Sequence, residues 1–391
     1  MAVAKFSVAR LALTDFRSYG HLRLETDARP VVLTGANGAG KTNLLEALSF
    51  LVPGRGLRNA RLGEVARREA GEPEDDSGRA WAVAAGVRGP QGVVDLGTGR
   101  DAAGLAAGGR ERRVVRIDGE TVRSQAELAL HFAAVWLTPR MDRLFSEGGS
   151  ARRRFVDRLV FGFDAAHAGR VAAYEQALRE RARLLREAAS GRRTDGAWLN
   201  ALEDTMATRG VAVAAARKDM AARLAAFCAE SPGPFPAAGI GLAGAVEGWL
   251  DDGPALAAED RFRAALAAGR AADADSGTTG VGPHRSDLVV HDVATGVAAG
   301  QCSTGQQKAL LIAIVLASAR MQALERGSVP LLLLDEVAAH LDQRRRQALF
   351  EELLGLGAQV WMTGTETEVF RPLAGEAQFF RVADAQVAPA S

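Results

Sequence analysis

Cysteine is scarce in this chain: Cys228 and Cys302 are the two thiols among 391 residues. One lies in an apolar stretch and one at a turn, without metal-ligand spacing, which excludes a disulfide scaffold and reads as reduced thiols in a cytoplasmic protein. Excess charge is missing as well. Lys+Arg number 48 against 47 Asp+Glu, a formal charge of +1. The chain is therefore no bulk-electrostatic nucleic-acid binder, and any DNA contact has to come from a local patch. Long apolar runs are also lacking. The longest, Ala309 to Ala319, is bounded by Lys308 and Arg320 and falls short of the roughly 20 residues a membrane span needs. The opening MAVAKFSVARLALTDFRSYG alternates like a strand and carries no signal-peptide block. No internal repeat and no sustained heptads occur. The expectation is a soluble protein without a membrane partner.

What is present is the composition of an ordinary globular protein, 48% hydrophobic and 24% charged, in a chain longer than one compact core usually supports. VVLTGANGAGKTNLLEALSFLV reads as buried strand, glycine loop and helix, with Leu44, Leu45, Leu48 and Leu51 at helical spacing. Residues 81–117 are glycine-rich with short Val/Leu runs, the pattern of short antiparallel strands. EPEDDSG (72–78) reads as a solvated loop. Helical patterns fill the middle, interrupted by SPGPFPAAGIGLAG (231–244). The last part alternates helix and strand again, the rhythm of a parallel sheet with crossover helices. The predicted fold is α/β, a mixed or parallel sheet lobe with crossover helices and an inserted, mostly helical second lobe. The first lobe takes residues 1–140 and 320–391, with an antiparallel subdomain at about 80–120; the second takes 141–319 and ends in the STGQQ helix.

Gly35, Ala36, Asn37, Gly38, Ala39, Gly40, Lys41 and Thr42 fit G-x-x-x-x-G-K-[ST]. Such a loop curls backbone N–H groups around a polyphosphate at a helix N-terminus. Lys41 supplies a point charge to the β- and γ-phosphates, and the Thr42 hydroxyl ligates Mg²⁺. In PLLLLDE, four leucines suit a strand buried on both faces, with Asp335 and Glu336 emerging at its carboxyl end. Asp335 then suits the Mg²⁺ shell and Glu336 a general base for the attacking water. In QCSTGQQ, Ser303, Gly305 and Gln306 either cap a helix or match the serine–x–glycine–glutamine turn of ABC proteins. In that class the turn meets the γ-phosphate held by a second copy of the chain. AHLD, with Asp342, matches the segment that runs along the same dimer seam.

Taken in order, these segments resemble the RecF family, within the SMC-like ABC ATPases. The likeness runs through LTDFRSYGHLRL, NGAGKTNLLEALSFL, ARRRFVDRLV, YEQALRERARLL, GPHRSDLVVH, STGQQKALLIAIVLA, LLLLDEVAAHLDQRRRQALF and VWMTGTE. The phosphate loop and acid pair are generic to the class; FRSY, GPHR and TGT are the family's own. The resemblance implies a weak ATPase that dimerises on ATP, binds single- and double-stranded DNA, especially at gaps, and releases it on hydrolysis. It also implies work with RecO and RecR, help in RecA loading and in SOS induction, and a place near the nucleoid. Some positions depart from the pattern. HRDD is His284-Arg285-Ser286-Asp287, QRN is RERAR with Arg181 at the asparagine, and WLTPRMD offers no glutamine for Mg²⁺. Thr363 stands where transporters carry a switch histidine.

Weaker signals stay open on sequence alone. Arg17 and Tyr19 either touch phosphate and adenine or pack at a strand end. Arg152 to Arg154 start a helix, where the dipole disfavours cations, and mark either an anion partner or a solvated face. Arg344 to Arg346 are solvated or at the seam, and His284 and Arg285 read as a structural turn. Competing functions are a transporter's ATPase subunit, the head of another SMC-like machine, or a nucleotide-gated scaffold that does not hydrolyse. The FRSY start and long helical middle oppose the first, and the absence of long heptads opposes the second.

Overall fold

The computed structural model describes residues 4–68, 79–101, 112–191, 195–229, 233–338 and 341–390; the 72–78 loop lies outside them. Two compact units result, one of residues 1–142, 232–235 and 311–391, the other of residues 143–231 and 236–310.

The first unit carries two six-stranded sheets. Its elements begin with β1 (Ala4–Lys5), β2 (Ser7–Phe16), β3 (Tyr19–Glu25), β4 (Val31–Thr34) and helix α1 (Lys41–Ser49). There follow α2 (Leu62–Val65), β5 (Trp81–Gly89), β6 (Gly92–Arg100), β7 (Arg113–Ile117), β8 (Glu120–Thr121), α3 (Leu128–His131) and β9 (Ala134–Leu137). The antiparallel sheet has the order β3-β2-β5-β6-β7-β8. A bulge between Val8 and Arg10 shifts the β2–β5 register. Val8 and Leu11 therefore both point into the core despite their odd spacing. Phe16, Phe50 and Trp81 meet edge-to-face in that core, with centroids 5.2–6.0 Å apart. The strands of this region are longer than its glycine content suggested, because Trp81, Val83, Ala85 and Val87 alternate inward along β5.

Within the second unit lie α4 (Gly149–Phe161), α5 (His167–Ala189), α6 (Gly196–Ala229), β10 (Ala238–Ala243), α7 (Ala245–Asp252), α8 (Ala255–Ala268), α9 (Arg270–Ser276) and β11 (Asp287–Asp292). Its helices close over polar residues as well as apolar ones. Arg181 is wholly buried and donates to Glu203, Asp273, Thr279 and the Leu266 carbonyl at 2.7–3.0 Å. Asp157 takes both arms of Arg217 at 2.7 Å and the His167 ring at 2.8 Å. These partners hold the Asp157 carboxyl below the usual range in spite of its burial. Part of the Gly/Pro interruption forms β10, antiparallel to β11, a ribbon that the glycine-rich sequence did not announce.

After β11 come α10 (Thr304–Arg326), β12 (Ser328–Val329), β13 (Leu331–Leu334), α11 (Gln343–Leu356), β14 (Val360–Gly364), β15 (Gln378–Ala383) and β16 (Gln386–Pro389). The other sheet of the first unit is β16-β15-β4-β14-β13-β9, parallel except at the β16 edge. Every residue of β4 and β13 is buried, as strands covered on both faces require. Among the described residues α10 is the one helix long and apolar enough to cross a membrane, and 83% of its apolar window is buried inside the protein. The α/β class with crossover helices is the one the sequence predicted.

Candidate nucleotide site

Three parallel neighbours, β4, β14 and β13, end side by side, and their carboxyl ends assemble the site. From β4 the chain turns through Gly35–Gly40 into α1, with Gly35, Gly38 and Gly40 all at positive φ. At Gly40 the turn is also crowded. A Cβ there would lie 2.8 Å from the Tyr19 hydroxyl, so a side chain would dislodge the loop. Ala36, Asn37 and Gly38 form the exposed tip, with Ala39 half-buried beneath it. Lys41 Nζ lies inside the turn and donates to the carbonyls of Gly35 and Ala36 at 2.7 and 2.8 Å. Burial lowers the Lys41 pKa, opposed by the negative Glu336 and Asp335. The amine is thus desolvated and close to both acids.

At the end of β13, Asp335 accepts from Thr42 Oγ1 at 2.9 Å and from Thr363 Oγ1 at 2.7 Å. The Thr363 hydroxyl also accepts the Glu336 N–H at 2.9 Å. One residue of β14 therefore orients both acids, a role that its place in the transporter-switch position did not disclose. Glu336 is half-buried with φ +52, left-handed for a non-glycine residue and a marker of functional strain. Burial raises the Asp335 carboxyl, opposed by the Thr363 and Thr42 hydroxyls, with neighbouring Glu336 adding to the rise. Thr42 and Asp335 form an all-oxygen pair fit for a hard cation. Among the described residues no group of three or more His, Cys, Asp or Glu could hold a metal alone. Mg²⁺ held by one or two side chains and substrate phosphates is the arrangement that fits.

The raised Asp335 carboxyl has a thermodynamic consequence. A carboxyl raised by folding stabilises the fold fully below its ordinary value of 3.8, and that contribution is lost as pH climbs through the folded value. At neutral pH the ionised group burdens the fold. Asp335→Asn should then raise Tm at neutral pH, with the gain vanishing below the ordinary carboxyl value. Calorimetry across that range checks the sign, and an equal gain at both ends would contradict it.

Arg17 and Tyr19 both have partners within the fold. Tyr19 is fully buried, and its hydroxyl donates to Gly40 O at 3.2 Å. Burial pushes that hydroxyl well above its usual range. It braces the loop from below and offers no ring face to a base. Arg17 is committed to the buried Glu46, with Nε and Nη2 at 2.8 and 2.6 Å, and its third arm reaches the Glu64 carbonyl. Arg58 shares Glu46 Oε2 with Arg17 and bonds Asn43 Oδ1 at 2.8 Å. Nothing in the local pattern announced this cluster: Glu46 lies on the side of α1 opposite Leu44, Leu48 and Leu51, where an acid reads as solvated. Beside it lies a cavity of about 590 Å³ lined by Arg17, Ser18, Asn43, Arg58, Arg68 and Arg140, among others.

In the second unit, Ser303 and Gln306 form a reciprocal cap at the start of α10. Ser303 N reaches Gln306 Oε1 at 3.0 Å, and Gln306 N reaches Ser303 Oγ at 3.3 Å. Ser303, Gly305 and Gln306 are all exposed. Asp342 is the exposed N-cap of α11, accepting from Arg345 N at 2.8 Å; residues 339 and 340 lie outside the described set. The anion reading of the α4 basic start is corrected for two of its three residues. Arg152 is bidentate to Asp287 at 2.6 and 2.8 Å, and Arg153 donates to Ser286 O at 2.8 Å. His284 bonds Tyr174 and the Thr279 carbonyl at 2.6 and 2.9 Å, a structural turn. Ser286, in place of the missing acid, is buried and donates to Glu247 at 2.6 Å.

Residues 7–386 match the family described as RecF/RecN/SMC N terminal domain. A DNA replication and repair protein RecF of Rhizobium etli (strain CIAT 652) is 46% identical over 387 residues, covering 98% of this chain and 99% of the relative. The chain belongs to the RecF family. Another DNA replication and repair protein RecF, from Caulobacter sp. (strain K31), is 48% identical over 392 residues, 98% of each chain. A solved structure of the recombination mediator protein RecF-ATP in the RecFOR pathway superposes with TM-score 0.83 at 21% identity, covering 99% of this chain and 98% of that one. An Smc head domain from Pyrococcus furiosus gives 0.51 at 15% identity, over 99% and 96% of the two chains. At these identities the likeness concerns the fold, which RecF shares with Smc heads.

Proposed function

We propose that this member of the RecF family is a weak, DNA-linked ATPase of recombinational repair, whose ATP-bound homodimer holds DNA and whose hydrolysis releases it. The convergence of Lys41, Thr42, Asp335, Glu336 and Thr363 at three adjacent strand ends carries the reading. Lys41 leaves its loop carbonyls for the β- and γ-phosphates, where the free N–H groups of the loop and of the α1 start point. Thr42 and Asp335 would hold Mg²⁺, which when bound neutralises charge building on the phosphates. Glu336, steadied through its N–H by Thr363, takes the proton of the attacking water. The nucleoside end occupies the cavity beside Asn43 and Arg58, whose wall Arg17 helps to form while Tyr19 stays buried behind the loop.

The exposed signature turn supports a dimer. A Cβ at Gly305 would meet nothing within 4 Å, so the fold itself leaves room for a side chain. Glycine there keeps the backbone open to close approach from outside. Ser303, Gly305 and Gln306 of one protomer then cap the γ-phosphate held by its partner, with Asp342 along the seam. ATP thereby favours association by the contacts it makes only in the dimer. RecO and RecR as partners, help in RecA loading, SOS induction and a cytoplasmic, nucleoid-associated setting complete the proposal. The relatives, named as DNA replication and repair proteins, support it.

DNA binding measured on gapped, duplex and single-stranded DNA, with and without ATP, across a salt series tests this function. ATP should tighten binding at least tenfold. Affinity should fall steeply with salt, because the contacts are chiefly to phosphates. Equal affinity with and without nucleotide would defeat the clamp.

A further inference from the structure

Arg113 opens β7, and its guanidinium lies inside the first unit against the far end of α1. All five of its N–H groups find neutral oxygens. Nε donates to Thr98 Oγ1 at 2.7 Å, and Nη1 to Gly54 O and Gln125 Oε1 at 2.6 and 2.9 Å. Nη2 donates to Phe50 O and, at 3.3 Å, to Val52 O. The cation also stands 5.3 Å from the centre of the Phe50 ring. None of its partners is a carboxylate. Burial lowers the group's pKa to about 9, so the fold keeps a desolvated charge here without a counter-ion.

Packing alone is a poor reason for such a residue, since an apolar side chain of similar length fills space without desolvating a charge. What a guanidinium adds is a rigid fork that can tie several carbonyls at once. The three carbonyls it ties belong to one short turn. Phe50 is the C-cap of α1, a helix with no basic residue in its own last turn, so Arg113 supplies the cation that the negative end of the helix favours. Val52 and Gly54 lead from there to Arg58, which grips Glu46 in the middle of the same helix. The opposite end of α1 begins with Lys41 and Thr42. A helix this short, roughly 13 Å long, moves as one body.

We propose that Arg113 is a positioning residue for the nucleotide site, acting through α1 and the 50–58 turn to set where Lys41, Thr42 and Arg58 stand. This rests on the nucleotide reading above. Glu336, the proton acceptor, hangs from the end of β13 and from Thr363 instead, so a loosened α1 should weaken the grip on nucleotide more than the chemical step. Misplacement of the order of 1 Å is costly in such sites. Arg113→Met should raise the Kd of N-methylanthraniloyl-ATP, and the KM for ATP, about tenfold, with kcat within about twofold. Arg113→Lys, which restores the charge but not the fork, should recover part of the loss, leaving an increase of about threefold.

A merely structural residue would behave differently: the active fraction, and so kcat, would fall with KM unchanged. Circular dichroism and Tm establish that each variant is folded. Should Arg113→Met not fold, Gln125→Leu carries the test. It removes one anchor of the fork and should raise Kd about twofold to threefold. Lys41→Ala is the control. If Lys41→Ala abolishes binding while folded Arg113→Met or Gln125→Leu binds like the parent protein, the positioning role is overturned and the nucleotide reading stands. If the parent protein binds no nucleotide, both fall together.

Discussion

Glu336→Gln should lower phosphate release by about 10²–10⁴-fold while ATP binding survives and the ATP-bound dimer persists. Glutamine has the shape of glutamate and keeps the backbone bond to Thr363 Oγ1, which comes from the Glu336 N–H and not from its side chain. The left-handed backbone at this position, φ +52, burdens the two residues alike. What is lost is the proton acceptor. Removing a negative charge close to Lys41 and to the phosphates also relieves repulsion, so nucleotide affinity should hold or rise. With hydrolysis stalled, the contacts that join two protomers through ATP have no exit, and mass action keeps the pair together. Phosphate release and light scattering under saturating ATP with magnesium read the two halves of this outcome separately. Normal turnover would remove Glu336 from the role of base. A monomeric variant would remove the nucleotide-bridged dimer.

Much of the candidate site was legible because its parts are contiguous. GANGAGKT holds its own turn, and LLLLDE holds both a two-face-buried strand and the acids at its end. Periodicity also announced β2, although not the bulge at Val8/Arg10 that keeps Val8 and Leu11 on one face. What sequence order conceals is burial that depends on distant partners. Arg17 and Tyr19 have the chemistry of ligand-binding residues, and the fold spends both behind the loop, on Glu46 and on Gly40 O. Glu46 and Arg58 looked like ordinary members of a helix and a loop, and Thr363 like a missing histidine. Arg113 stood in RRVVRIDG as one more cation on a strand. Its inward face is set by the pairing of β6 with β7, which no local pattern encodes. The β10–β11 ribbon escaped for a related reason. Gly239 and Gly241 weaken the strand signal, yet the His291 ring needs the space over Gly239, where a Cβ would lie 2.2 Å from it.

The same non-local logic gives the second large effect, at Arg181. This residue is fully buried and spans Glu203, Asp273, Thr279 and the Leu266 carbonyl. Arg181→Ala leaves two acids in the interior with their shared cation gone. Glu203 retains Arg270, with Nε at 3.0 Å from Oε1, whereas Asp273 keeps the Gly280 N–H at 2.9 Å. Unpaired burial of this kind costs about 3–5 kcal/mol, a large share of the stability of any domain. Asparagine is too short to replace the span, so Arg181→Asn should be nearly as damaging. The charge itself is not what the fold needs. Arg181→Met combined with Asp273→Leu removes the cation together with the acid that would be stranded, and apolar replacement of a buried ion pair is often neutral. That double variant should recover most of the loss. Urea unfolding of the single and double variants measures the difference. An Arg181→Ala protein within about 1 kcal/mol of the parent would mean that the two acids find water or protons at little cost. The network would then be incidental to the helical unit rather than its organising centre.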